Sequence, residues 1–204
     1  MIKNIIFDFG NVIGRFDYKE TIANITSDEE ETEFLINEVL NSPEWLRYGL
    51  MDSGLVSYEA IVKLINDRTN YIHEELVDKM VNNYYKYITI SDEITSLIKS
   101  LKEKGYNLYI LSNTSKEVVN HFKNNEIFKY FDGFVLSYKI NMLKPNDGIY
   151  KFLLKKYNLV PEECLFIDDR EDNINTAKKF GINGRNVNKD DIEDIKKVLI
   201  EYNI

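Results

Sequence analysis

What this 204-residue chain lacks narrows it first. It has a single cysteine, Cys164, so no disulfide can form within the chain, and an unpaired thiol fits a reducing compartment. No apolar run approaches the roughly 20 residues of a membrane-spanning helix, which argues against a membrane partner. The first apolar run begins at Ile5 and leaves no room before it for a signal peptide, so the expected location is the cytoplasm. Internal repeats and low-complexity stretches are also absent. Positive charge is scarce: 26 Lys and Arg face 34 Asp and Glu, a formal net charge of -8. Binding to a phosphate backbone needs clustered cations, so nucleic acid is not an expected partner. The same excess repels small anions at long range, so a phosphate site here must be built from local donors and a cation. The remainder is that of an ordinary globular protein: 44% hydrophobic and 29% charged, long enough to bury a full core.

The stretch KNIIFDFGNVI, Lys3 to Ile13, organises the rest. Ile5, Ile6 and Phe7 form a short β-branched and aromatic run, which predicts a strand buried on both faces. Asp8 follows directly, and Gly10 and Asn11 turn the chain out where parallel sheets hold their ligands. From Asp17 to about Tyr87 the pattern is helical, with Phe34, Leu35, Val39 and Leu40, then Ile61, Leu64 and Ile65, then Leu76, Met80 and Val81 at helical spacing. Ser42-Pro43 divides the first of these helices from one through Trp45, Leu46 and Tyr48, and Asp52-Ser53-Gly54 reads as a turn before a helix capped by Ser57. The last helix of this segment is expected from His73 to about Tyr87. From Ser91 onward helices alternate with strands at 107–111, 133–136, 164–167 and 185–187. Helices are expected at 173–180 and 190–201 as well. Such alternation predicts right-handed crossovers and a doubly wound parallel α/β sheet.

Three of those strands end in polar residues: Asp8, then Ser112-Asn113-Thr114, then Asp168-Asp169. Parallel strands bring these ends to one edge. Each has a plainer explanation, since Ser and Asn cap helices and paired Asp residues make turns, but three on one edge point to chemistry. Adjacent carboxylates that stay ionised need a cation, and an all-oxygen set suits Mg²⁺. Lys144, before Pro145 in INMLKPNDGIYKF, is either a surface lysine or a fixed ammonium that reaches this edge to pair with Asp8 or Asp168 and with a phosphate.

FDFGNVI, ILSNTS, KPNDGIY and FIDDREDNINTAKKFG, in this order and spacing, resemble the four motifs of the haloacid dehalogenase superfamily. The match is nearest its sub-branch of small-metabolite and sugar-phosphate phosphatases with an FDLGNV-type first motif and a helical cap. The segment WLRYGLMDSGLVSYEAI is similar to a recurrent cap stretch of that sub-branch. The resemblance implies an α/β core at 1–16 and 88–204 with a cap domain at 17–87. It implies a Mg²⁺-dependent phosphatase of a small phosphorylated metabolite, acting through an aspartyl-phosphate on Asp8. Mg²⁺ would be held by Asp8, the Gly10 carbonyl and Asp169, with Asp168 a further ligand or a partner of Lys144. Ser112 and the Asn113 N–H would bind the phosphoryl oxygens and Lys144 would neutralise them. At Gly10 the chain departs from the superfamily pattern, which most often has a second Asp there as general acid and base. Trp45, Arg47 and Tyr48 are candidates for facing the substrate, although Trp45 and Tyr48, at i and i+3, also suit the interior of the cap. A 2-haloacid dehalogenase using the same Asp8, and a non-catalytic binder of a phosphorylated metabolite, are the alternatives. The adjacent Asp168-Asp169 pair argues against the first, because uncompensated carboxylates beside Asp8 are costly.

Overall fold

Ile5, Ile6 and Phe7 have no exposed surface, as an apolar run without polar alternation requires, and Asn4–Phe7 forms β1 at the centre of a five-stranded sheet. The computed structural model describes residues 1–46 and 50–204. The other strands are β2 (Asn107–Ser112), β3 (Gly133–Leu136), β4 (Cys164–Asp168) and β5 (Asn183–Asn186). All neighbours are parallel, in the order β3-β2-β1-β4-β5. The doubly wound α/β class is the one expected.

Between β1 and β2 lie α1 (Tyr18–Ala23), α2 (Glu29–Phe34), α3 (Pro43–Leu46), α4 (Leu50–Ser53), α5 (Tyr58–Arg68), α6 (Glu74–Asn83) and α7 (Asp92–Glu103). They are followed by α8 (Lys116–Phe122), α9 (Ser137–Ile140), α10 (Asp147–Tyr157), α11 (Glu171–Lys179) and α12 (Ile192–Glu201). The expected caps form: Ser57, Ser91 and Ser115 each accept a backbone N–H three residues on, at the starts of α5, α7 and α8.

Side-chain alternation along β1 divides the interior. Ile5 and Phe7 join an apolar cluster that runs without a break into the inserted helices through Ile22, Leu35, Met51 and Ile61. Ile6 points the other way, to Tyr150, Leu153, Phe166 and Ile174 under α10 and α11. Aromatic rings bind the insertion to the core: Tyr84 packs on Phe16 and Trp45, and Tyr85 on His121 of α8.

Several expected boundaries move. The helix over 28–40 continues past α2 as a π-helical stretch, Leu35–Leu40, which keeps Leu35, Val39 and Leu40 buried. The helix expected to reach Tyr87 ends at Asn83 and tightens into a 3-10 turn, Tyr84–Tyr87, that buries Tyr84. The last strand covers 183–186 rather than 185–187. Its polar residues pair along an edge, whereas the apolar-run criterion favoured Val187. The helix expected over 173–180 begins at Glu171, and the last helix begins at Ile192 rather than Asp190. Leu64 is 44% exposed, because Ile61 and Ile65 already fill the inward stripe of α5.

Candidate active site

The register places the predicted site residues at one sheet edge. Phe7 is level with Ile110 and with Ile167, so Asp8 stands beside Leu111 and Asp168, with Ser112 one step beyond. This edge lies where chain order reverses, β1 and β4 being neighbours across the crevice. The Asp8 N–H extends the ladder by donating to the Ile167 carbonyl at 2.9 Å, which fixes the carboxylate at the strand's end.

Lys144 is buried, not on the surface. Its Nζ lies 2.9 Å from Asp8 Oδ2 and 2.7 Å from Asp168 Oδ2, so it pairs with both carboxylates. Burial works against its ammonium, but Asp168 and Asp8 outweigh that and hold its pKa above the ordinary value. Burial pushes the Asp8 carboxyl up to about 7 against the pull of Lys144, with Asp168 and Asp169 reinforcing the rise. Asp169 is also raised, by burial and then by Asp168.

The three carboxylates divide into two roles by the donors they receive. Asp168 accepts the Arg170 N–H at 2.8 Å on Oδ1, Lys144 Nζ on Oδ2, and Asn173 Nδ2 at 3.0 Å on both oxygens. Those bonds occupy its lone-pair positions. Among the described residues Asp169 receives only a 3.4 Å contact from Asn11 Nδ2, and Asp8 keeps acceptor capacity beyond the Phe9 N–H and Lys144. Oxygens of Asp8, Asp168 and Asp169 lie within 4.8 Å of one another. Such a spacing needs little adjustment to match the span of about 4 Å across an octahedral oxygen shell, so the donor set fits Mg²⁺.

Sequence reasoning missed three contributions. The Asn113 side chain clamps the lysine loop, its Oδ1 accepting the Lys144 N–H at 2.8 Å and its Nδ2 donating to the Lys144 carbonyl at 2.9 Å. Asn11 holds a left-handed conformation at φ 55 and reaches Asp169. Asp52, read as part of a turn, brings a carboxyl from the insertion that feels the charge of Lys144. Ser112 is fully buried and donates to the Asn113 carbonyl at 3.2 Å. Trp45 packs against Tyr84 within the inserted helices, and Arg47 and Tyr48 lie outside the described residues. A cavity of about 560 Å³, lined by Phe9, Val118, Phe122, Phe128 and Leu136 among others, opens beneath α8. It includes none of the three carboxylates and its lining is mostly apolar.

Comparison with known proteins finds relatives along most of the chain. A D-ribitol-5-phosphate phosphatase from Bacteroides thetaiotaomicron is 28% identical over 193 residues, 89% of either chain. A solved HAD-like hydrolase from Porphyromonas gingivalis superposes with a TM-score of 0.75 at 28% identity, over 98% of both chains. A HAD family enzyme from B. thetaiotaomicron, solved as a magnesium complex, gives 0.72 at 25% identity over 93% of this chain and 95% of that one. Among the described residues no helix is long and apolar enough to cross a membrane. The family model for haloacid dehalogenase-like hydrolases matches residues 2–181, and the chain belongs to that family of enzymes.

Proposed function

We propose that the protein hydrolyses a small phosphomonoester, a sugar or sugar-alcohol phosphate, with Mg²⁺ as cofactor. The observation that carries this reading is the cluster of Asp8, Asp168 and Asp169 with a buried Lys144 between two of them. A dianionic phosphoryl group is the substrate that such a mixture of cation-binding carboxylates and fixed ammonium suits. A carbon-halogen bond needs no cation site.

In this reading Asp8 attacks phosphorus in line with the ester oxygen, and the ester bond breaks as an aspartyl-phosphate forms. Water then attacks phosphorus and frees Asp8 and inorganic phosphate. Ser112 and the Asn113 N–H hold phosphoryl oxygens, and Lys144 neutralises them while Asp168 and the Asn113 amide fix its position. Asp8, Asp169 and the Gly10 carbonyl would hold Mg²⁺, with Asp168 serving Lys144 because its acceptors are already taken. When bound, the ion supplies positive charge to the phosphoryl oxygens. The inserted helices, residues 17–87, act as a cap domain over the edge. D-Ribitol 5-phosphate, the substrate in the name of the Bacteroides relative, heads the panel to be tried, in line with a small phosphorylated metabolite as the partner. The buried thiol of Cys164 suits work in the cytoplasm.

The test is steady-state phosphate release from p-nitrophenyl phosphate and a panel of sugar phosphates, with Mg²⁺ or with EDTA. Turnover should require Mg²⁺, and Asp8→Asn should reduce it by at least about a thousandfold while the protein stays folded, since an amide is a poor nucleophile. Turnover of purified Asp8→Asn within about tenfold of wild type would remove Asp8 from the reaction.

A further inference from the structure

Expulsion of an alkoxide requires a proton, and among the described residues the core edge has no uncommitted acid to supply one. Asp8, Asp168 and Asp169 are committed to the nucleophile, to Lys144 and to the cation, and the Lys144 ammonium is held by two carboxylates. Gly10 bears no side chain, although a Cβ placed there would meet nothing within 4 Å. The absence of an acid at that position is therefore chemical and not steric.

The insertion brings one. On α4, the Asp52 carbonyl accepts the Ser137 hydroxyl at 2.5 Å, and that hydroxyl in turn accepts the Thr114 N–H at 2.9 Å. Thr114 follows Ser112-Asn113 directly. One residue on, Asn141 Nδ2 donates to the Ser53 carbonyl at 3.0 Å. Gly54 then turns at φ 69, so close to Tyr138 that a Cβ would stand 2.3 Å from its carbonyl oxygen. The main chain at Asp52 and Ser53 is thus pinned against the loops that carry Ser112, Asn113 and Lys144.

Resting on the phosphatase reading, we propose that Asp52 is the proton donor to the leaving group and the base for the hydrolytic water. In the first step Asp8 forms its bond to phosphorus. The ester oxygen leaves with the P–O bonding pair and takes the Asp52 proton, releasing an alcohol. In the second step Asp52, now a carboxylate, takes a proton from water as its oxygen bonds to phosphorus. The P–O bond to Asp8 then breaks, releasing inorganic phosphate, and both residues return to their starting states.

The surroundings of Asp52 suit an acid. Burial raises its carboxyl to about 6, with Lys144 the charge that opposes the rise. Around α4, Glu44 of α3 is engaged by Arg68 at 3.5 Å, and Lys139 of α9 sits over the Tyr138 ring. Tyr58 of α5 shares hydrogen bonds with Tyr84 and with Ser115. Burial first, and Asp52 among the lesser causes, keeps both phenols protonated well above neutrality. Lys144 is the cation that tunes the carboxyl.

Full-length wild type and Asp52→Asn, each with Mg²⁺, are compared on p-nitrophenyl phosphate and D-ribitol 5-phosphate. The amide cannot donate a proton as an acid, whereas p-nitrophenolate needs none. The variant should lose about 10²–10³-fold in kcat/KM on the alkyl ester and less than about tenfold in kcat/KM on the aryl ester, because that ratio reports formation of the aspartyl-phosphate and not its hydrolysis. In wild type, kcat/KM for the alkyl ester should fall as pH rises through the pKa of the acid while the aryl profile lacks that limb, a comparison that needs no variant to fold. Rapid-quench should show an aspartyl-phosphate burst in Asp52→Asn with the aryl ester, because the hydrolytic base is gone. Equal losses in kcat/KM on both esters, or none, with identical wild-type profiles would overturn the assignment of Asp52 and leave the phosphatase standing. No wild-type turnover of either ester would overturn both.

Discussion

Lys144 carries more of the site than any other single residue. Its Nζ is 2.9 Å from Asp8 and 2.7 Å from Asp168 in a place with almost no solvent. Removal of one partner from a buried ion pair leaves an uncompensated charge, typically at a cost of about 3–5 kcal/mol. Lys144→Met should therefore lower the urea midpoint markedly, and Mg²⁺ should restore part of the loss because a cation can again stand among the carboxylates. An equal loss in EDTA and in Mg²⁺ would show that the damage is to packing alone. The approach of Lys144 to the edge was legible, since a proline after it and a helix start beyond limit where the loop can go. Its burial was not legible, because most lysines are exposed and only the three-dimensional company of Asp8, Asp168 and Asn113 marks this one as different. Asp52 was hidden for a related reason. Asp-Ser-Gly is a common turn sequence, and nothing local records that the turn is pressed against Ser137 and Asn141.

At the scale of elements, β4 and the start of α11 hold the two adjacent carboxylates in different settings. Asp168 closes the strand and is saturated with donors, whereas Asp169 has, among the described residues, only its long contact with Asn11. Asp172, in the first turn of α11, is exposed. Asp169→Ala should weaken the Mg²⁺ dependence of turnover by at least about tenfold, and Asp172→Ala should leave it within about twofold, as befits a ligand and a solvated surface charge. Equal effects in Mg²⁺ titrations would place the cation elsewhere. The strands that carry the site were legible because a fully buried strand has no polar interruption, so a polar residue after it announces the edge. Elements without that contrast were read less well. β5 is Asn183–Asn186, which has no apolar run to find, and the π-helical turn at Leu35–Leu40 satisfies the same spacing as an ordinary helix.

For the whole molecule, the insertion and the core are joined by a seam with no slack. One apolar cluster runs through both, and Gly54 sits where Tyr138 leaves no room for a side chain. Gly54→Ala must strain its left-handed backbone and push a main-chain oxygen, so stability should fall by more than about 1 kcal/mol. Turnover of alkyl phosphates should fall with it, since α4 carries Asp52. Gly10→Ala, with open space around the added carbon, should change stability by less than about 0.5 kcal/mol. Urea unfolding of the two variants side by side checks both statements, and similar losses would mean that the seam is looser than its geometry implies.

The central position of β1 also sets an order of events during synthesis. Its neighbours in the sheet begin with Asn107 and Cys164, 103 and 160 residues later than Asn4. The strand that presents Asp8 gains its first sheet partner only when β2 has been made and its second only when β4 has. Until β2 is made this apolar strand keeps two open edges, and until β4 is made it keeps one, while the inserted helices that precede β2 are free to form. A chain halted before β4 would hold β1, β2 and β3 with Asp8 and Lys144 but would lack Asp168 and Asp169. Assembly of the candidate site therefore waits for β4, because Asp8 gains its companion carboxylates only when that strand takes its place beside β1.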